Sequence, residues 1–150
     1  MKSGSERPSR DQFAHITRLS VRWGDMDCLG HVNNAKFFTY DEQARLEYFQ
    51  LFDGVVPEMW KAEGLILAKL GCDFIAQLHH PATLDVGIRI KRLGRSSMET
   101  EGAMFEGERL VAVTSGVVVW FDYRQQKTAP IPDIVKARIR EREIVAPIEA

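Results

Sequence analysis

Residues 22–34 read Arg22-Trp23-Gly24-Asp25-Met26-Asp27-Cys28-Leu29-Gly30-His31-Val32-Asn33-Asn34, and this stretch decides how the rest of the chain is read. Leu19, Val21 and Trp23 before it alternate with the period of a strand. After it, Phe37, Tyr40, Ala44, Tyr48 and Leu51 recur every three or four residues, the stripe of an amphipathic helix running to about Phe52. Thr39, Gln43, Glu47 and Gln50 form that helix's polar face, and Asn33 or Asn34 suits its N-cap. Two carboxylates, a histidine and two amides therefore sit where a strand hands over to a helix. The first N–H groups of a helix lack intrahelical partners and can face negative charge developing on oxygen. Such a junction suits attack on a carbonyl.

Beyond the helix, Asp53-Gly54 marks its end, and Pro57 predicts a short second helix over 58–63. Strands are expected over 65–78, with Gly71 as a bulge, then over 84–91, 98–104 and 110–123. Glu106-Gly107-Glu108 makes a hairpin of the last two. A C-terminal helix over 132–142 follows from Ile134, Val135 and Ile139. The order implies the α+β class: an antiparallel five-stranded sheet wrapped around one long central helix. The 117–121 segment is apolar at every position, so both of its faces need cover. One helix covers one face, which predicts shielding by local elements or a second copy.

The chain has 150 residues, enough for a single core, with 45% apolar and 27% charged residues and a net charge of −1. That balance gives no footprint for nucleic acid. No stretch approaches the roughly 18 apolar residues of a membrane span. The polar segment 1–12 has no signal-peptide pattern and is expected to be disordered, with the domain over 13–142 and a tail over 143–150. Cys28 and Cys72 show no metal spacing, consistent with reduced thiols in a cytoplasmic protein.

Among bland readings of Asp25 and Asp27, turn capping ranks first. A calcium loop fails, because Leu29 and Lys36 stand where oxygen ligands are required. No metal site is expected. Nucleophile-elbow, zincin and phosphate-loop motifs are missing from the sequence.

The pattern W-G-D-x-D-x-x-G-H-V-N-N, with Glu42-Gln43-Ala44-Arg45 on the helix after it, resembles the hotdog-fold acyl-CoA thioesterases of the 4-hydroxybenzoyl-CoA thioesterase group. Gly94-Arg95-Ser96-Ser97 and the apolar 117–121 run are weaker matches, and the resemblance spans about residues 14–140. It implies hydrolysis of an acyl-CoA, with Asp27 as nucleophile or general base and an amide near Asn34 polarising the carbonyl. His31, Asn33 and Asn34 would complete the site, and Asp25 would brace the loop. Arg95, Ser96 and Ser97 would meet coenzyme A, which is part of the substrate, so no cofactor is expected. Phe37, Phe38 and Phe74 would line the acyl pocket.

A second hotdog branch carries its carboxylate on the helix, where Glu42 and Glu47 are the candidates; the loop motif favours Asp27. Rival functions are a module that binds acyl thioesters without turnover, a thioesterase acting on acyl carrier protein, and a hotdog dehydratase. Proteins of this kind dimerise edge to edge and often form tetramers, so a homo-oligomer, dimer or tetramer, is expected.

Overall fold

The computed structural model describes residues 7–149. Five long strands, β1 (His15–Ser20), β2 (Glu63–Phe74), β3 (Thr83–Leu93), β4 (Ser97–Glu106) and β5 (Arg109–Asp122), form one antiparallel sheet in the order β1-β3-β4-β5-β2. Two short strands, β6 (Lys127–Thr128) and β7 (Ile148–Glu149), add to β5 and β3. Helix α1 (Asn34–Phe49) lies across the sheet, and α2 (Asp133–Arg142) closes one end of the core. Among the described residues no helix is long and apolar enough to cross a membrane.

Alternation along β3 sets the core. Leu84, Val86, Ile88 and Ile90 are fully buried against the face that carries α1, and Met98, Thr100 and Met104 of β4 continue that face. Phe37, Tyr40, Ala44 and Tyr48 of α1 meet them, as the three-and-four spacing requires. Full burial of a large apolar side chain stabilises by about 1.5–3 kcal/mol, so this layer dominates the fold.

Several expectations need correction. The first strand stops at Ser20, because Asp25 accepts a hydrogen bond from Arg22 N–H (3.0 Å) and winds Trp23–Asp25 into a 3-10 turn. No helix forms over 58–63: Glu58 and Trp60 adopt positive φ, and β2 begins at Glu63. The β2 bulge falls between Leu67 and Lys69, whereas Gly71 stays in register with Ser115. On α1, Arg45 pairs with the buried Asp41 one turn earlier.

Both ends of the domain extend further than expected. Arg10–Gln12 forms a 3-10 turn, and Arg10 meets Asp85 at 2.7 Å. Phe13 covers Gly87, where a Cβ would come within 2.6 Å of the ring, and packs with Ala103 and Phe105 on the outer face. Segment 1–6 of the expected disordered stretch lies outside the described residues. At the other end, β7 joins the sheet, and the buried Glu143 carboxylate accepts the Ile90 N–H at 2.6 Å beside a register shift in β3.

Burial pushes the Glu143 carboxyl from its ordinary 4.5 up to about 7, although the Ile90 N–H, Arg89 and Arg142 pull the other way. Its second oxygen and the Tyr48 hydroxyl are buried with no hydrogen-bond partner among the described residues. A carboxyl that holds its proton more tightly when folded contributes stability that is complete below the unfolded value and fades as pH rises. Stability is therefore expected to fall between pH 4.5 and about 7, by at most about 3 kcal/mol. His15, whose pKa is lowered by burial and by Arg142, acts in the opposite sense. Glu143→Gln isolates the carboxyl: denaturation curves across this range should flatten, and an unchanged pH slope would reject the assignment.

Candidate active site

Loop 22–33 is built by its own side chains. Buried Asp25 accepts from the Tyr40 hydroxyl (2.7 Å) and the Arg22 N–H, and its backbone carbonyl accepts from Asn33 N–H (3.0 Å). Burial pushes the Asp25 carboxyl up, but the Tyr40 hydroxyl, the Arg22 N–H and nearby Lys36 outweigh it, so the group lies below its ordinary range and is ionised. The Tyr40 hydroxyl is raised in turn, by burial and by the Asp25 charge. Asp25 thus braces the loop.

Asp27 plays a different part. Its N–H donates to His31 O (2.9 Å), Met26 bridges Val32, and Val32 N–H donates to Leu78 O (2.8 Å). These bonds dock the loop against segment 75–78. One Asp27 oxygen accepts Leu29 N–H at 2.9 Å; the other has no protein partner among the described residues. Asp27, His31, Asn33 and Asn34 all border one cavity of about 380 Å³, walled by Phe37 on α1 and by Phe74 at the end of β2. The two rings meet edge to face, 5.3 Å between centroids.

The helix start faces the same space. Asn33 is the N-cap, its side-chain oxygen accepting Ala35 N–H at 3.0 Å, and its carbonyl accepts Lys36 N–H. That leaves the Asn34 N–H as the unclaimed donor of the first turn among the described residues, as an unpaired helix start allows. Asp27, with one oxygen unpaired, and Asn34, with its N–H unclaimed among the described residues, thus border one half-apolar cavity. That arrangement can polarise a carbonyl and deliver a nucleophile or a base to it.

Other expected site residues lie elsewhere. Phe38 touches Phe74 (6.3 Å between centroids) but does not line the cavity. Glu42 is exposed and Glu47 is held by Thr17 and Gln43, so neither helix carboxylate borders it. Arg95, Ser96 and Ser97 form a turn pinned by Ser97 O and Gly94 N–H, by Ser96 O and Trp120 N–H, and by Arg95 O and Ile131 N–H. Its register, Ser97 beside Val119 and Val119 beside Ile66, puts it at the opposite end of the sheet from Phe74. Measured along β2 the gap is roughly 25 Å at about 3.3 Å per residue. Within one chain the turn does not join the cavity.

Sequence reasoning missed the wall formed by Ile75, Ala76, Gln77 and Leu78. It also missed His79, whose ring lies 4.9 Å from that of His31 and whose Nδ1 sits 2.9 Å from Gly30 O. The strand expected over 65–78 ends at Phe74, so 75–78 is loop and not strand; for His79 the one available signal was His79-His80 just before Pro81.

Residues 21–139 match the family described as the thioesterase-like superfamily, and the chain belongs to it. It is a thioester hydrolase, and its curled antiparallel sheet around one helix is the hotdog fold. Among solved structures, it is similar to a thioesterase from Thermus thermophilus complexed with coenzyme A and Zn, at 34% identity, TM-score 0.77, and 87% and 95% coverage of this chain and that one. It is also similar to the PA5185 protein from Pseudomonas aeruginosa, at 27% identity, TM-score 0.80, and 93% and 99% coverage. The uncharacterized protein YsmA of Bacillus subtilis is 28% identical over 101 residues, 66% of this chain and 67% of that protein.

Proposed function

We propose that the protein hydrolyses acyl-CoA thioesters to the carboxylic acid and free coenzyme A, with Asp27 as the reacting carboxylate. The observation that carries this reading is the cavity bordered at once by Asp27, by Asn34 with its unclaimed N–H, and by the Phe37 and Phe74 rings. Coenzyme A bound to the Thermus thermophilus relative supports the substrate class. The W-G-D-x-D loop supports placement in the 4-hydroxybenzoyl-CoA thioesterase group.

In this reading the acyl group enters beside Phe37 and Phe74, and the thioester oxygen takes the Asn34 N–H. One such donor is worth about 3 kcal/mol once negative charge has formed on the oxygen. The partner-free oxygen of Asp27 either attacks the carbonyl carbon or draws a proton from an attacking water. In the first route the C–S bond breaks, thiolate leaves, and water then cleaves the acyl anhydride. In the second, water adds its oxygen directly and Asp27 carries the proton. A thiol of ordinary pKa about 8.5 is a good leaving group, so little acid assistance is needed. His31 orients water or the carbonyl, and Asn33 holds the helix start.

The working unit in this proposal is a homo-oligomer. Edge strand β2 exposes Ile66, Leu67 and Phe74, and Val117, Val119 and Phe121 of β5 are only half-buried. A second copy beside β2 would shield the exposed β2 residues and could bring its own Arg95 turn toward the Asp27 cavity, while the outer face of β5 calls for a further layer. Arg95→Ala is then expected to raise KM for an acyl-CoA roughly tenfold while leaving KM for the acyl-pantetheine unchanged. Equal effects on the two substrates would remove Arg95 from coenzyme A recognition.

The decisive experiment is release of free thiol from a panel of aliphatic and aromatic acyl-CoAs. Turnover of at least one of them would establish coenzyme A as the carrier of the acyl group. No release from any acyl-CoA, with release from acyl carrier protein esters, would change the carrier but not the chemistry.

A further inference from the structure

A second cavity, about 430 Å³, lies on the other side of the α1 start, between that helix and the free edge of β1. Its chemistry differs from that of the Asp27 cavity. Three cationic side chains, Arg18, Arg22 and Lys36, border it against a single carboxylate, Asp25, and Ser20, Thr39 and Gln43 add polar groups.

The cations are not equally committed. Arg18 forks onto Asp85 (2.9 and 3.2 Å), so its charge is largely answered. Arg22 makes no ion pair within 4 Å among the described residues, although its charge acts on Asp25, and Lys36 stands 4.0 Å from the same carboxylate, a loose approach, so one carboxylate answers two cations. Asp25 already receives Tyr40 and the Arg22 N–H. Two positive groups therefore project into a groove of ligand size with hydroxyls around them, the donor set that phosphate oxygens accept. Trp23, directly after Arg22, is 75% exposed, which leaves its indole open to stack on a flat ring.

We propose that this groove is a phosphate-binding subsite, with Arg22 and Lys36 as its ligands, and that it holds the phosphate-bearing end of the nucleotide thioester whose acyl end lies beside Asp27. The existence of the site rests on the groove alone; the identity of its ligand rests on the acyl-CoA reading. Lys36 follows Asn34 by two residues and so sits on the opposite side of the same helical turn. Arg22 and Asp27 likewise belong to one loop. The two cavities flank the first turn of α1, and a thin, flexible pantetheine arm is suited to pass from one to the other. This subsite lies in the same chain as Asp27, unlike the Arg95 turn at the far end of the sheet.

Calorimetric titration of the full chain with adenosine 3′,5′-bisphosphate tests the proposal. Wild type is expected to bind it, more weakly as salt is raised. Arg22→Ala/Lys36→Ala should bind it roughly tenfold more weakly or worse, while Arg22→Lys/Lys36→Arg keeps most of the affinity. In turnover, the alanine pair should raise KM for acyl-CoA with kcat unchanged and leave acyl-pantetheine KM alone. Wild-type affinity in the alanine pair, or a loss confined to Arg95→Ala, overturns the site. Binding of inorganic pyrophosphate in the groove without binding of the bisphosphate or coenzyme A overturns its link to the substrate. Groove-dependent bisphosphate binding without hydrolysis of any acyl-CoA would sink the activity reading and leave the subsite standing.

Discussion

Replacing Asp27 by Asn is expected to cut thiol release from acyl-CoA by about 10²- to 10⁴-fold, the range for losing a positioned base or nucleophile. Asparagine keeps an oxygen that can accept Leu29 N–H, so the loop should hold its shape and the melting temperature should stay close to wild type. What it removes is the charge on the oxygen that no protein group occupies. Substrate binding should change little, because Phe37, Phe74 and the Asn34 N–H remain. Thiol release by Asp27→Asn at the wild-type rate would reject the role of this carboxylate; loss of activity together with unfolding would be resolved by Asp27→Ser, which also caps turns.

The largest effect on stability should come from Arg45→Met. Asp41 and Arg45 stand one turn apart on α1 with side chains 1% and 8% exposed, and Thr114 of β5 donates to Asp41 at 2.5 Å. Gly102 makes room, since a Cβ there would collide with Thr114 Oγ1. Deleting one partner of a buried pair leaves an uncompensated charge and costs about 3–5 kcal/mol. Burial already raises the Asp41 carboxyl, against Thr114 and Arg45, so the folded chain holds that proton more tightly than the unfolded chain does. The penalty in Arg45→Met should accordingly be smallest at low pH and grow as pH rises through the folded value. Urea denaturation at several pH values measures it. Asp41→Asn/Arg45→Met should recover most of the loss; a single variant as stable as wild type would mean that the pair carries no net energy.

These two sites differ in how far they could be read from the chain. The Asp27 loop is local: Asp25, Asp27, Gly30 and Asn33 each act on backbone within a few residues, so their types and spacing disclose the turn and the cap. The stripe from Phe37 to Tyr48 is legible for the same reason, since a helix repeats its neighbours. Asp41 and Arg45 are not, because charges at that spacing are normally a solvated pair. Only Thr114 and Gly102, some sixty to seventy positions away, turn them into a core feature. The cavity wall at 75–78 was equally hidden, since it is brought to Asp27 by a hydrogen bond between Val32 and Leu78 rather than by any pattern of its own. Pro57 misled because the residues after it take left-handed turns.

The Phe13 ring and the bare backbone of Gly87 form a lock whose two halves lie in different parts of the chain. Neither half can change alone: a methyl group at 87 evicts the ring, and a small residue at 13 strips the cover from Ala103 and Phe105. The leading segment is thus a fitted lining of the outer surface. Shortening it to begin at Ala14 would yield a sticky sheet back.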